Sequence, residues 1–230
     1  DLFDPSARTV PSDERREAVQ SLESLVRQQA EKLPIVSVST SISDGVGHSA
    51  RVHSNGFVGE REVSSFSLSA MLTVLDEDGR RPMGWEYTYR RHKADLDSPE
   101  WIAQRAAEKA SAQLGAGQVP TGKYTILVEN RAIGRLLGAL LSPISGPLLQ
   151  QRRSLWEGRL GEQITSPLLT IYDEPHRVRG LGAGLWDADG FATTRRPLIE
   201  NGVLSTYLID QYYARKMDVE PTGGDTHDLE

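Results

Sequence analysis

The order of apolar and polar residues divides the chain into elements. Ala18, Val19, Leu22, Leu25, Val26 and Leu33 recur at helical spacing, which predicts a helix with one stripe laid on a sheet. Ser12 stands where an N-cap belongs, Asp13 and Glu14 suit the positive end of a helix, and Pro34 stops the run. The period then changes to two. Ile35 to Ser43 and Ala50 to Ser54 read as strands, and Asn55-Gly56 marks a hairpin before Phe57. Phe66, Leu68, Ala70, Leu72 and Val74 alternate with Ser67, Ser69, Met71 and Thr73, predicting a long strand with one core face. Past the turn Asp76-Glu77-Asp78-Gly79, Trp85, Tyr87 and Tyr89 alternate with Glu86, Thr88 and Arg90. Strands in direct succession, joined by tight turns, predict an antiparallel meander and not a βαβ series. Ser98-Pro99-Glu100 opens a second helix, whose small face is Ala103, Ala106, Ala107, Ala110 and Leu114.

Gly115 to Gly122, with Pro120, reads as a linker. The expected organisation is α+β: a central domain over 1–115 with helices packed on a meander, a linker at 116–122, and the start of a β-rich second domain over 123–230. In the second part Tyr124 to Val128 reads as a strand, about Asn130 to Leu141 as a helix, and Leu168 to Tyr172 as a short strand. Pro197 to Glu200 and Val203 to Leu208 flank Asn201-Gly202, a type I′ hairpin signal.

Composition narrows the chemistry. The net charge of −6 opposes binding that works by neutralising phosphates, so no nucleic acid is expected. The clusters Arg90-Arg91-His92-Lys93 and Arg152-Arg153 read as solvated faces or subunit contacts. Without cysteine there is no disulfide, thiol nucleophile or Cys zinc site; this fits a reducing cytoplasm, the expected location. The longest apolar candidate, Ala132 to Leu149, is broken by Arg135, Ser142 and two prolines, so no membrane span is expected. His48, His53, His92, His176 and His227 show no metal-ligand spacing on a predicted helix. The loop Gly180-Leu181-Gly182-Ala183-Gly184 is not G-x-G-x-x-G, and no apolar helix follows it to cradle a phosphate. Asp187 and Asp189 form a carboxylate pair, but in a loop such residues more often make turns. Asp1 is not Met, and no closing element follows the turn-like run Thr222-Gly223-Gly224-Asp225, so the chain reads as a segment of a longer one. The residues alone give an α+β protein with no self-contained active site.

Several collinear motifs go further. Leu160-Gly161-Glu162-Gln163-Ile164, Ser166-Pro167-Leu168-Leu169-Thr170-Ile171, Asp187-Ala188-Asp189-Gly190 and the run Thr194 to Leu204 resemble the TldD/PmbA (TldD/TldE) metalloprotease family, also described as modulators of DNA gyrase. Tyr207-Leu208-Ile209-Asp210, Tyr213-Ala214-Arg215-Lys216 and Pro221-Thr222-Gly223 continue the pattern. Ser54-Asn55-Gly56-Phe57 and Ser98-Pro99-Glu100-Trp101 look like the PmbA (TldE) branch. The resemblance implies that family members are longer at both ends. It also implies that the TldD branch carries zinc on an H-E-x-x-x-H helix following the strand matched by Tyr124 to Val128. Here that stretch reads Asn130-Arg131-Ala132-Ile133-Gly134-Arg135, so Asn130, Arg131 and Arg135 stand at degenerate metal-motif positions. A guanidinium offers no lone pair to zinc and takes no proton from water at neutral pH. The expectation is a chain with no catalytic residue, no metal ligand and no cofactor of its own. It would pair with a TldD-like, zinc-bearing subunit or form a homodimer, and the assembly would cleave small or unfolded peptides. Peptide held by strand addition would use edges near Val203 to Leu208 or Leu168 to Tyr172. An independent zinc metallopeptidase with ligands outside this segment, and a non-enzymatic interaction module acting on a protein such as gyrase, stay open as alternatives.

Overall fold

The computed structural model describes residues 1–230, which divide into two compact units: residues 1–50 with 60–121, and residues 51–59 with 122–230. The architecture is α+β, with antiparallel sheets and helices in both units.

The first unit is a three-stranded meander in the order β1 (Ile35–Val52), β2 (Val58–Val74), β3 (Met83–Arg90). β1 is one continuous strand where the sequence suggested two, because Asp44 to Ser49 stay extended despite their glycines. Helices α1 (Ser12–Gln29) and α2 (Pro99–Ser111) supply the other layer. Ser98 caps α2 through the Trp101 N–H at 3.2 Å, with Pro99 in the first turn. In α1 the cap position falls on Pro11, so Ser12 is the first helical residue and makes no side-chain cap.

The core joins Leu22 and Val26 of α1, Leu68, Ala70, Leu72 and Val74 of β2, and the Ile102–Ala110 face of α2. Alternation alone would bury the aromatic residues of β3. The structure buries Glu86 and Thr88 instead, each 1% exposed. The register explains this: Leu72 opposes Gly84, Ala70 opposes Glu86 and Leu68 opposes Thr88, so these share the face under α2. A side chain on Gly84 would collide with the Ala106 carbonyl, so the close approach of α2 requires glycine there and leaves no room for rings. Lys109 of α2 meets the buried Glu86 carboxylate at 3.1 Å.

The second unit is built on a four-stranded antiparallel sheet in the order β6 (Val203–Leu204), β5 (Arg196–Glu200), β4 (Ile171–Glu174), β7 (Asp228–Leu229). Leu198, Ile199, Leu204 and Ile171 pack with Leu141, the last residue of α3 (Gly134–Leu141), and with Ile144 just after it. Helices α4 (Gly146–Gln150) and α5 (Gln211–Met217) close a smaller cluster around Leu149, Ile209 and Ala214. The β5–β6 turn has Asn201 at φ 51° and Gly202 at φ 80°, as a type I′ turn requires. Asn55-Gly56 makes a different hairpin: Gly56 N–H bonds the His53 carbonyl and His53 N–H the Phe57 carbonyl, leaving a three-residue loop with Gly56 alone at positive φ. Two predicted strands change. Leu168 to Tyr172 shifts to β4, and Val203 to Leu208 shortens to β6 because Ser205 and Thr206 turn their side chains back onto backbone carbonyls. β4 lies between β5 and β7, so its edges are taken and strand addition there is excluded. No helix is long and apolar enough to cross a membrane.

Candidate functional site

Asn130 and Arg131 lie in the turn that precedes α3, and Arg135 lies in its first turn. The predicted strand before them is absent: Tyr124 to Val128 form no ladder, and Ile126 and Leu127 are 76% and 98% exposed. The helix also begins later than expected. Asn130 to Ile133 form a turn closed by the Ala132 N–H on the Glu129 carbonyl at 2.8 Å, and α3 starts at Gly134. The reason lies in the apolar stripe, whose first member is Ile133; nothing before it gives a helix a face to bury. Asn130, Arg131 and Arg135 are all exposed. An amide and two permanently charged guanidinium groups do not fit a zinc ion, and they hold no base for a water nucleophile. No group of three or more His, Asp or Glu side chains in the chain could hold a metal ion.

A polar cluster that the sequence did not single out lies in the second unit. Asp173 on β4 is 1% exposed. It accepts the His227 backbone N–H at 2.7 Å, faces His227 Nδ1 at 3.2 Å and takes Arg196 Nε at 3.2 Å. Arg196 also donates to the carbonyls of Thr222, Gly223 and Asp225. A cavity of about 210 Å³ opens beside this cluster, lined also by Asp187, Thr193 and Thr222. The guanidinium is committed to backbone oxygens and the carboxylate to its two neighbours, so the cluster ties residues 222–228 to the sheet. The glycine loop is drawn into the same tie: the Gly182 N–H donates to Asp228 at 3.1 Å, so the anion on this loop is the chain's own.

Two motifs that are distant in sequence meet beside that cavity. The hairpin tip at 51–59 and the loop Trp186 to Gly190 both belong to the second unit. His53 Nδ1 lies 3.2 Å from the Asp189 carbonyl, Arg51 donates to the Asp187 carbonyl at 3.0 Å, and the Phe57 ring stands edge-on to Trp186 at 5.7 Å. Gly190, at φ 85°, lies under Phe57, where a Cβ would come within 2.7 Å of the ring. Asp187 is a turn former: its Oδ1 accepts the N–H groups of Asp189 and Phe191 at 3.0 and 2.9 Å. Asp189 accepts the Gln211 N–H at 2.9 Å. This pair serves backbone donors and is not arranged as an acid and a base.

Sequence models of two domains of the PmbA/TldA metallopeptidase family match the chain, the central domain over residues 5–114 and the C-terminal domain over 121–228. The chain belongs to the PmbA/TldD family. It is 29% identical over 223 residues to the metalloprotease PmbA of Escherichia coli O157:H7, covering 97% of this chain and 49% of that protein. Among solved structures, a protein of Bacteroides thetaiotaomicron described as a modulator of DNA gyrase superposes with a TM-score of 0.91 at 36% identity, covering 99% of this chain and 52% of that one. TldE from Thermococcus kodakarensis shares the fold, with a TM-score of 0.75 at 23% identity over 99% of this chain and 51% of that chain. The chain spans about half the length of the relatives it matches. The tie at Asp173 lies within the family's C-terminal domain, the hairpin tip docked on the Trp186 to Gly190 loop belongs to the stretch matched by the central domain, and Arg131 and Arg135 are exposed just before α3 and in its first turn.

Proposed function

We propose that this chain is part of a metal-free, PmbA/TldE-like subunit of a TldD/TldE-type metalloprotease that degrades small or unfolded peptides in the cytoplasm. One observation carries the reading: Asn130, Arg131 and Arg135 occupy the positions of the H-E-x-x-x-H motif that the TldD resemblance implies; the two guanidinium groups have no lone pair for zinc, and none of the three side chains takes a proton from water at neutral pH. Family membership supports the peptidase context. The exposed, basic start of α3 supports a supporting role for this subunit, with zinc supplied by a TldD-like partner. The outer edge of β6 is taken as well, since the Leu204 N–H donates to the Glu162 carbonyl at 3.0 Å and the Leu204 carbonyl accepts the Gly161 N–H at 2.8 Å, so strand addition at Val203 to Leu208 is excluded.

The test is metal analysis and peptidase assay of the full-length protein, alone and with a partner bearing H-E-x-x-x-H. The expected result is cleavage of an unstructured peptide by the mixture only, with zinc on the partner. Stoichiometric zinc on the protein purified alone, with cleavage, would favour an independent peptidase whose ligands lie outside this segment.

A further inference from the structure

The open face of the first unit's sheet carries features that the reading above does not use. β3 turns Met83, Trp85, Tyr87 and Tyr89 to solvent, at exposures of 54, 54, 41 and 39%. Trp85 and Tyr87 stack at 4.6 Å with 17° between their planes, so the rings form a ridge along the strand. Beside it lies a floor of hydroxyl groups. The register sets Ser69 opposite Tyr87 and Ser67 opposite Tyr89, and the Ser67 hydroxyl lies 2.7 Å from that of Ser43, which extends the floor onto β1. Alternation along β1 puts Ser39 and Ser41 on the same side. None of these positions carries a charge, and Arg90, which follows Tyr89 on the other face of the strand, is paired with Asp97 at 3.0 Å.

Single exposed aromatic residues are ordinary, but a contiguous apolar ridge marks a contact surface. At 150–250 Å² per aromatic side chain, the exposed ridge presents about 400 Å². That is half of the ~800 Å² each partner buries in a stable complex, so it is too small for a second copy of the chain and suits a short peptide. The ridge repeats every second residue, which is also the side-chain repeat of an extended peptide. Recognition by the face is favoured over addition at the strand edge. Side chains already serve β3 backbone groups: Gln113 donates to the Met83 carbonyl at 2.6 Å, Glu86 accepts the Tyr87 N–H at 3.0 Å, and Arg90 donates to the Tyr89 carbonyl at 3.0 Å. A charged side chain lowered onto the serine floor would lose water and find no counter-charge.

We infer that this face is a docking platform for an uncharged, extended peptide, whose alternate apolar side chains rest on the Trp85–Tyr87–Tyr89 ridge while its amides meet the serine floor. The peptide class rests on the proteolytic reading above. The test is titration calorimetry of the full-length protein with an eight-residue peptide of alternating Leu and Ser, needing neither partner nor metal. The expected results are saturable binding, at least tenfold weaker in a folded Trp85→Ala/Tyr87→Ala variant and weaker by a similar factor when Lys or Glu replaces a central Leu. Unchanged binding by the double variant, indifference to the added charge, no binding by the wild type, or dimerisation of the wild type that the double variant abolishes would each overturn the platform. Proteolysis is read separately. Activity in the reconstituted mixture with unchanged KM in the double variant sinks the platform alone; ridge-dependent binding with an inactive mixture sinks the proteolytic reading alone.

Discussion

Individual side chains set both stability and the limits of chemistry here. Arg15 grips Asp44 through two bonds of 2.5 and 2.6 Å, and that guanidinium holds the half-buried Asp44 carboxyl below its ordinary range. A carboxyl with a depressed folded pKa adds stability above its unfolded pKa and loses it as pH falls through the folded value. Arg15→Gln should therefore cost about 1 kcal/mol at neutral pH, and the difference from wild type should shrink below about pH 4, read by urea unfolding at both pH values. Asp173 makes a larger claim. Asp173→Ala would leave the half-buried Arg196 and His227 facing no anion, and should cost about 3–5 kcal/mol with residues 222–230 losing amide protection in hydrogen exchange. A cost under about 1 kcal/mol would mean that the tie contributes little. This cluster was not legible in the sequence, because Asp173 and His227 stand 54 residues apart and each alone looks like a polar residue in a turn-rich stretch.

At the scale of elements, periodicity carried α1, α2, the meander and the β5–β6 hairpin, since each buries one face whose spacing is written locally. It could not tell which face of β3 is buried. That depends on how closely α2 approaches, and Gly84 under Ala106 decides it. Gly84→Ala should push α2 outward and cost about 1–3 kcal/mol in unfolding free energy, whereas Trp85→Ala on the opposite face should leave the melting temperature nearly unchanged. Equal losses for the two would contradict the assigned faces. Tyr124 to Val128 illustrates the converse limit: its composition suits a strand, but a strand exists only where another pairs with it, and here none does. The motif positions were readable as residue types; the late start of α3 at Gly134 was not, because it follows from where the apolar stripe begins to pack.

For the molecule as a whole, the chain has the two-unit architecture of a PmbA/TldD-family member, and under the proposed function Arg131 before α3 and Arg135 in its first turn stand where a protease of this kind would need a base and a ligand. Restoring residue types alone should not restore chemistry. Asn130→His/Arg131→Glu/Arg135→His should bring no hydrolysis by itself, because ligands also need a positioned supporting shell, and peptide turnover by that variant would show the remainder of a site intact. The most direct test of the central claim is zinc stoichiometry by plasma mass spectrometry, paired with peptide hydrolysis, on the full-length protein purified without a companion. Far less than one zinc per chain and no cleavage are expected, with turnover appearing only when the H-E-x-x-x-H partner is added. One zinc per chain together with cleavage by the lone protein would contradict it.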